Sequence, residues 1–142
     1  MRRIFILLVL ALLAVDAAAQ QYPERRQVRK GNRAYEKGNY QDAAGRYMRA
    51  LGAAPSSFEA QYNLGNALHR QEMYDQAAQV QQQAAADSLA APVDRAQAFY
   101  NLGNTQFRQK KYREALESYK RSLLLNPDDR EAKLSLIHIS EP

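Results

Sequence analysis

Residues 99–116 read FYNLGNTQFRQKKYREAL, and within them Gly103 is followed nine residues later by Tyr112 and twelve later by Ala115. The same spacing recurs at Gly31, Tyr40 and Ala43, and again at Gly65, Tyr74 and Ala77. Three copies of one spacing describe a stack of like units. Gly31 and Gly65 are 34 residues apart and Gly65 and Gly103 are 38 apart, so the second unit carries a four-residue insertion. A period of this size holds one helical hairpin per unit, and each hairpin buries its apolar face only against its neighbours. The expected architecture is an all-α solenoid with a concave surface, which points to binding before catalysis.

Around the quoted stretch, Phe99, Leu102, Gly103 and Phe107 recur at helical spacing, as do Tyr112, Ala115, Leu116, Tyr119, Leu123 and Leu124. The break at Gln109, Lys110 and Lys111 is too short for a strand and reads as a tight turn between antiparallel helices. The first unit repeats the pattern with Tyr35, a turn at Lys37-Gly38-Asn39, then Tyr40, Ala43, Ala44, Tyr47, Ala50 and Leu51. Gly38 suits a left-handed helix-closing residue because it has no Cβ to clash. Pro55 stops the following helix, and a serine after it can cap the next. The second unit supplies Tyr62, Leu64, Gly65 and Leu68, then Tyr74, Ala77, Ala78, Val80 and Ala84.

The small residues imply close helix approach: Gly31, Gly65 and Gly103 are expected opposite Ala43, Ala77 and Ala115, with Tyr40, Tyr74 and Tyr112 supplying apolar area. Leu89 stands where neighbouring units have Pro55 and Pro127, so the second unit's last helix is expected to run on toward Pro92, with Asp94 capping the next. Gln81 replaces the tyrosine found at positions 47 and 119 in a glutamine-rich stretch, which predicts that the second hairpin is the weakest packed.

At the start of the chain, Arg2 and Arg3 precede an apolar run from Ile4 to Val15, then Asp16 and the small residues Ala17, Ala18 and Ala19. This order predicts a secretory signal peptide over 1–19, cleaved after Ala19. A membrane anchor is the alternative, but the run is shorter than the roughly 20 residues a spanning helix needs. The chain has no Cys, which leaves neither a lipidated cysteine nor disulfides. Together these predict export to the periplasm of a Gram-negative bacterium.

The formal charge of +5 becomes +4 once Arg2, Arg3 and Asp16 are removed. The densest cations are Arg25, Arg26, Arg29, Lys30 and Arg33, then Arg108, Lys110, Lys111 and Arg113. They read as the outward stripes of amphipathic helices rather than a nucleic-acid surface, which would need one basic face with stacking aromatics.

These motifs resemble tetratricopeptide repeat (TPR) proteins over roughly residues 24–129. Phe99, Leu102-Gly103, Tyr112, Ala115, Tyr119 and Pro127 follow the family pattern, and Asn63-Leu64-Gly65-Asn66-Ala67 is close to its text. The resemblance implies a right-handed superhelical solenoid: lead-in 20–23, units 24–57, 58–95 (with the insertion) and 96–129, and a further or capping helix over 130–142. Gln27 and Lys30, where the family has an aromatic and Leu, make the first helix an N-terminal cap with a polar outer side. The leader, the small size and the stretches Gly31-Asn32-Arg33-Ala34-Tyr35 and Tyr62–Ala67 look more narrowly like exported members of the Bacteroides aerotolerance (Bat) operon. That similarity implies a membrane-anchored envelope complex linked to stress tolerance.

In such proteins the first helices of the hairpins line a groove, where asparagines grip an extended peptide. Asn32, Asn63, Asn66, Asn101 and Asn104 match those positions, with His69 beside them. An amide both donates and accepts, which suits backbone binding, although Asn can equally bond within and between helices. Chaperone-binding members hold a terminal carboxylate with two asparagines and three cations. Here Val28, Gln97 and Asn101 stand where the cations are expected, so no carboxylate clamp is predicted.

No catalytic, cofactor or metal constellation is legible: there is no Cys, the only histidines are His69 and His138, and no phosphate-binding glycine loop occurs. After Pro127, expected in a first-turn position, Asp128–Leu134 begins a helix, but Ile137 stands where the repeat wants Gly or Ala. The run 134–142 resembles translated sequencing adaptor and is expected to be a non-native tail, a short capping helix being the alternative. The functional expectation is a non-enzymatic adaptor in the envelope that binds a protein or peptide partner through its groove. It includes no cofactor, no nucleic acid, and membrane contact only through partners or an uncleaved leader. The alternatives are the export-side TPR portion of a larger envelope enzyme and a chaperone-like binder of exported chains.

Overall fold

The computed structural model describes residues 1, 3–11 and 22–141. The expected cleavage point after Ala19 lies outside the described residues. Residues 3–11 are helical (α1), with the side chains from Ile4 to Leu10 exposed. Among the described residues no helix is long and apolar enough to cross a membrane.

Three antiparallel hairpins follow: α2 (Pro23–Glu36) with α3 (Tyr40–Ala53), α4 (Phe58–Arg70) with α5 (Tyr74–Ala86), and α6 (Pro92–Arg108) with α7 (Tyr112–Leu125), then α8 (Arg130–Ser140). From α2 onward each helix packs on the next, and α4 also touches both α2 and α6, which makes these three one wall of an all-helical solenoid. The three hairpin turns close alike. Gly38, Glu72 and Lys110 take φ of 78°, 60° and 62°. The next residue's N–H then reaches back to a carbonyl five positions earlier, Asn39 to Ala34, Met73 to Leu68 and Lys111 to Gln106, at 2.9–3.0 Å. That bond satisfies one of the carbonyls a helix end leaves open.

The glycines do face a partner helix, but not the expected residues. A Cβ on Gly31 would meet Tyr47 Cε1 at 2.6 Å and one on Gly103 would meet Tyr119 Cε1 at 2.5 Å, while at Gly65 the neighbour is Gln81 Cγ at 2.6 Å. So Tyr47, Gln81 and Tyr119 lie opposite the glycines, and Ala43, Ala77 and Ala115 are fully buried elsewhere in the core. Burial of each of these two phenol rings contributes roughly 2 kcal/mol. Tyr40, Tyr74 and Tyr112 instead sit edge-on against Tyr35, His69 and Phe107 near the turns, with Tyr112 half-exposed.

The second unit departs from expectation at its end. α5 does not run on: it stops at Ala86, and the Asp87 carboxylate accepts from Leu89 N–H. α6 starts at Pro92 with Ala91 before it, so Asp94 lies inside the first turn and is not the cap. α6 has 17 residues where α4 has 13, so the four extra residues form one added helical turn. Ser57 caps α4 as expected, accepting from Ala60 N–H at 3.3 Å. α8 is capped by Asp129, which leaves Pro127 in the preceding loop rather than in the first turn. α5 buries three alanines and Gln81 but no aromatic ring, whereas α3 buries Tyr47 and α7 buries Tyr119, in line with the weak packing predicted there.

Candidate functional site

The wall formed by α2, α4 and α6 carries all the predicted groove residues: Asn32 on α2, Asn63, Asn66 and His69 on α4, and Asn101 and Asn104 on α6. Each is half-buried. Helical stacking brings five of them into three separate sets of hydrogen bonds. In the first, the Tyr47 hydroxyl donates to Asn32 Oδ1 at 2.7 Å and Asn63 Nδ2 donates to the same oxygen at 3.2 Å. In the second, Asn101 Nδ2 donates to Asn66 Oδ1 at 3.0 Å while Asn101 Oδ1 accepts from Gln97 at 3.4 Å. At the far end the Tyr119 hydroxyl donates to Asn104 Oδ1 at 2.8 Å.

These bonds orient the amides and leave part of each free. Among the described residues the Nδ2 groups of Asn32, Asn66 and Asn104 and the Oδ1 of Asn63 engage no protein partner. The row therefore offers three two-hydrogen donors and one acceptor toward the groove. Burial pushes the Tyr47 phenol up to about 12, with Tyr35, Glu59 and Glu36 adding to the shift, and burial with Tyr100 raises Tyr119 to about 12. Both phenols thus remain donors to the asparagines through the neutral range.

His69 is both wall and joint. Its Nδ1 shares a 2.8 Å hydrogen bond with the hydroxyl of fully buried Thr105, and its ring stands edge-on to Tyr74. Burial pushes its pKa below the usual imidazole range, and Arg108 and Arg70 push it further the same way. Two arginines tie repeat to repeat on the same edge: Arg70 donates to the Tyr40 hydroxyl at 2.6 Å and Arg108 to that of Tyr74 at 3.0 Å.

Two adjoining pockets open between these side chains. The first, of 360 Å³, is lined by Asn32, Tyr35, Glu36, Tyr47, Glu59, Asn63 and Asn66. The second, of 80 Å³, lies beside Gln81 and includes Asn66, His69, Arg70, Asn101 and Asn104. It sits where a tyrosine ring would project if position 81 matched 47 and 119. Sequence reading missed Tyr35, Glu36, Glu59 and Arg70 as lining residues; the fifteen-residue interval from Asn32 to Tyr47, repeated from Asn104 to Tyr119, was the signal for the tyrosine contacts. Among the described residues no group of three or more His, Cys, Asp or Glu side chains could hold a metal ion. Val28 is buried at the place expected of a clamp lysine, and Gln97 and Asn101 bond to each other at the other two.

Comparison with known proteins agrees with this geometry. Tetratricopeptide repeat profiles match residues 28–92 and 96–129. Among solved structures, the first TPR of Spaghetti (RPAP3) bound to the HSP90 peptide SRMEEVD is 28% identical, with a TM-score of 0.76 over 84% of this chain and 91% of that one. The first TPR domain of human RPAP3 is 27% identical, with a TM-score of 0.74 over 82% of this chain and 89% of that one. Thermobaculum terrenum O-GlcNAc transferase is 26% identical, with a TM-score of 0.71 over 87% of this chain but 22% of the transferase. No curated protein matches the chain by sequence.

Proposed function

The chain belongs to the tetratricopeptide repeat family, and from that premise we propose that it is a non-enzymatic interaction scaffold whose concave face holds an extended segment of a protein partner. The observation that carries this reading is the row of uncommitted amide groups on Asn32, Asn63, Asn66 and Asn104 above two open pockets. Fixed amides that both donate and accept match a peptide backbone, and holding them in place beforehand reduces the ordering cost of binding. The similarity to a TPR domain solved with a bound peptide supports the same use of the groove. That peptide, SRMEEVD, is acidic; with Val28, Gln97 and Asn101 in place of the three expected cations, a carboxylate-terminated partner is not the one proposed here.

The test is capture from a bacterial envelope extract by the wild-type chain and by an Asn66→Ala/Asn104→Ala variant whose helicity is unchanged. A protein retained by the first and lost by the second is expected. Equal capture by both would refute the groove as the binding surface, and no specific capture would refute the scaffold reading.

We further propose that this is an exported TPR protein of the Bat operon type, working in the periplasm beside a membrane-anchored complex. It rests on the charged, apolar and small-residue order of positions 1–19. An N-terminus at Gln20 on protein from the periplasmic fraction is expected; an intact Met1 on cytoplasmic protein would refute it. A second reading, in which these repeats position a catalytic domain in a longer chain, is favoured by the likeness to a transferase of which this chain spans 22%. The sequence of the locus beyond codon 133 separates the two.

A further inference from the structure

We propose that the first pocket of the groove selects a basic side chain, lysine or arginine, from the segment bound there; this rests on the groove reading above and names what that groove prefers. The pocket's 360 Å³ is within the range of ligand-binding clefts and large enough for a long side chain. Its lining includes Tyr35 and Tyr47, and its charged residues are Glu36, the last residue of α2, and Glu59, in the first turn of α4. The two carboxylates come from successive repeats and border one cavity. Both residues are exposed, and among the described residues neither lies within 4.0 Å of a cation, the ion pairs there being Arg46–Asp42 and Arg121–Glu117.

A cation placed in the cavity is attracted to both unneutralised carboxylates. The uncommitted Oδ1 of Asn63 supplies an acceptor for an ammonium or guanidinium hydrogen. The negative potential already registers inside the pocket, where Glu59 and Glu36 reinforce the upward shift of the Tyr47 phenol. No third His, Cys, Asp or Glu accompanies the two carboxylates among the described residues.

The neighbouring pocket has the opposite sign. Arg70 lines it beside the neutral ring of His69, and no carboxylate does. A basic side chain is thus drawn to the first pocket and disfavoured in the second, so the groove fixes the register of the bound segment by both attraction and repulsion.

The experiment is a positional-scanning library of end-capped heptapeptides, each mixture fixing one residue type at one position. It is read by fluorescence polarisation against the full chain, a Glu36→Gln/Glu59→Gln variant, and Asn66→Ala/Asn104→Ala. The proposal expects Lys and Arg mixtures to bind best at one position, with about a fivefold loss in the glutamine variant and a loss with added salt. Both glutamates are exposed and, among the described residues, make no side-chain hydrogen bond, so the variant is expected to keep its helicity. Binding that depends on the asparagines but shows no basic preference, or one that survives in the glutamine variant, would overturn the pocket's selectivity and leave the groove reading standing. Absence of binding by every mixture would overturn both.

Discussion

Replacing Gly103 with alanine tests the packing on which the stack depends. The added Cβ would lie 2.5 Å from Tyr119 Cε1, 2.7 Å from Cδ1 and 3.1 Å from Cζ. Tyr119 cannot easily yield: it is 3% exposed, and its hydroxyl is bound to Asn104. Forcing a methyl into such a site costs about 2–3 kcal/mol, while alanine for glycine within a helix returns about 1 kcal/mol. The net loss expected for Gly103→Ala is therefore about 1–2 kcal/mol. Gly65→Ala places its methyl as close, 2.6 Å from Gln81 Cγ, but that neighbour is a flexible chain bordering an 80 Å³ pocket into which it can swing. There the helix gain offsets the displacement, and a change within about 0.5 kcal/mol of zero is expected. Urea unfolding followed by far-ultraviolet circular dichroism measures both. A Gly103→Ala protein as stable as wild type, or a Gly65→Ala protein losing as much, would refute the assignment of rigid ring and flexible chain.

Gln81→Tyr is expected to stabilise the middle hairpin by about 1 kcal/mol, because a ring fills the second pocket opposite a glycine already suited to it; thermal unfolding reads the gain. Glu72→Gly and Lys110→Gly are each expected to raise stability by up to about 1 kcal/mol, since both positions hold non-glycine residues at φ near 60°; urea midpoints check this. For His69, the folded-state pKa lies below the unfolded value of 6.5, so the folded chain favours the neutral ring. Its contribution is present above that value and is lost as pH falls through the lowered folded one. The loss of melting temperature on acidification should therefore be larger for wild type than for His69→Gln, and parallel curves would refute the burial of a neutral imidazole.

Periodicity made the hairpins legible because apolar side chains must recur every turn to reach the neighbouring helix, and Gly38 marked its own turn. The same reading mispaired the glycines for a geometric reason. Counting from an antiparallel turn leaves both candidates open, since Gly103 stands seven before Lys110, Ala115 five after it and Tyr119 nine after it, and the helix rotation that puts the Tyr119 ring against Gly103 is set only in the packed hairpin. Spacing along the chain shows that Ala115 is held in register with Gly103, but not that the two touch. The insertion was visible as a longer interval, yet its place was decided by Pro92, whose fixed φ suits a first helical position and so starts α6 a turn early. Glu36 and Glu59 left no pattern at all: they belong to different repeats, and only stacking sets them around one pocket.

Fold and groove are joined at the tyrosines. In the first and third hairpins one ring packs under a glycine and hands its hydroxyl to the groove asparagine, so the same residue that closes the hairpin also aims the amide. In the second hairpin Gln81 does neither for Asn66, whose oxygen is held instead by Asn101 from the next repeat. The outer amides are therefore set within their own hairpins, while the central one is set by how α4 stacks on α6. That joint also contains the His69–Thr105 bond, and its supporting hairpin has the thinnest core. A change in the α4–α6 stacking would reach the groove through Asn66 before it reached Asn32 or Asn104, which makes the middle of the concave face the part most responsive to strain in the scaffold.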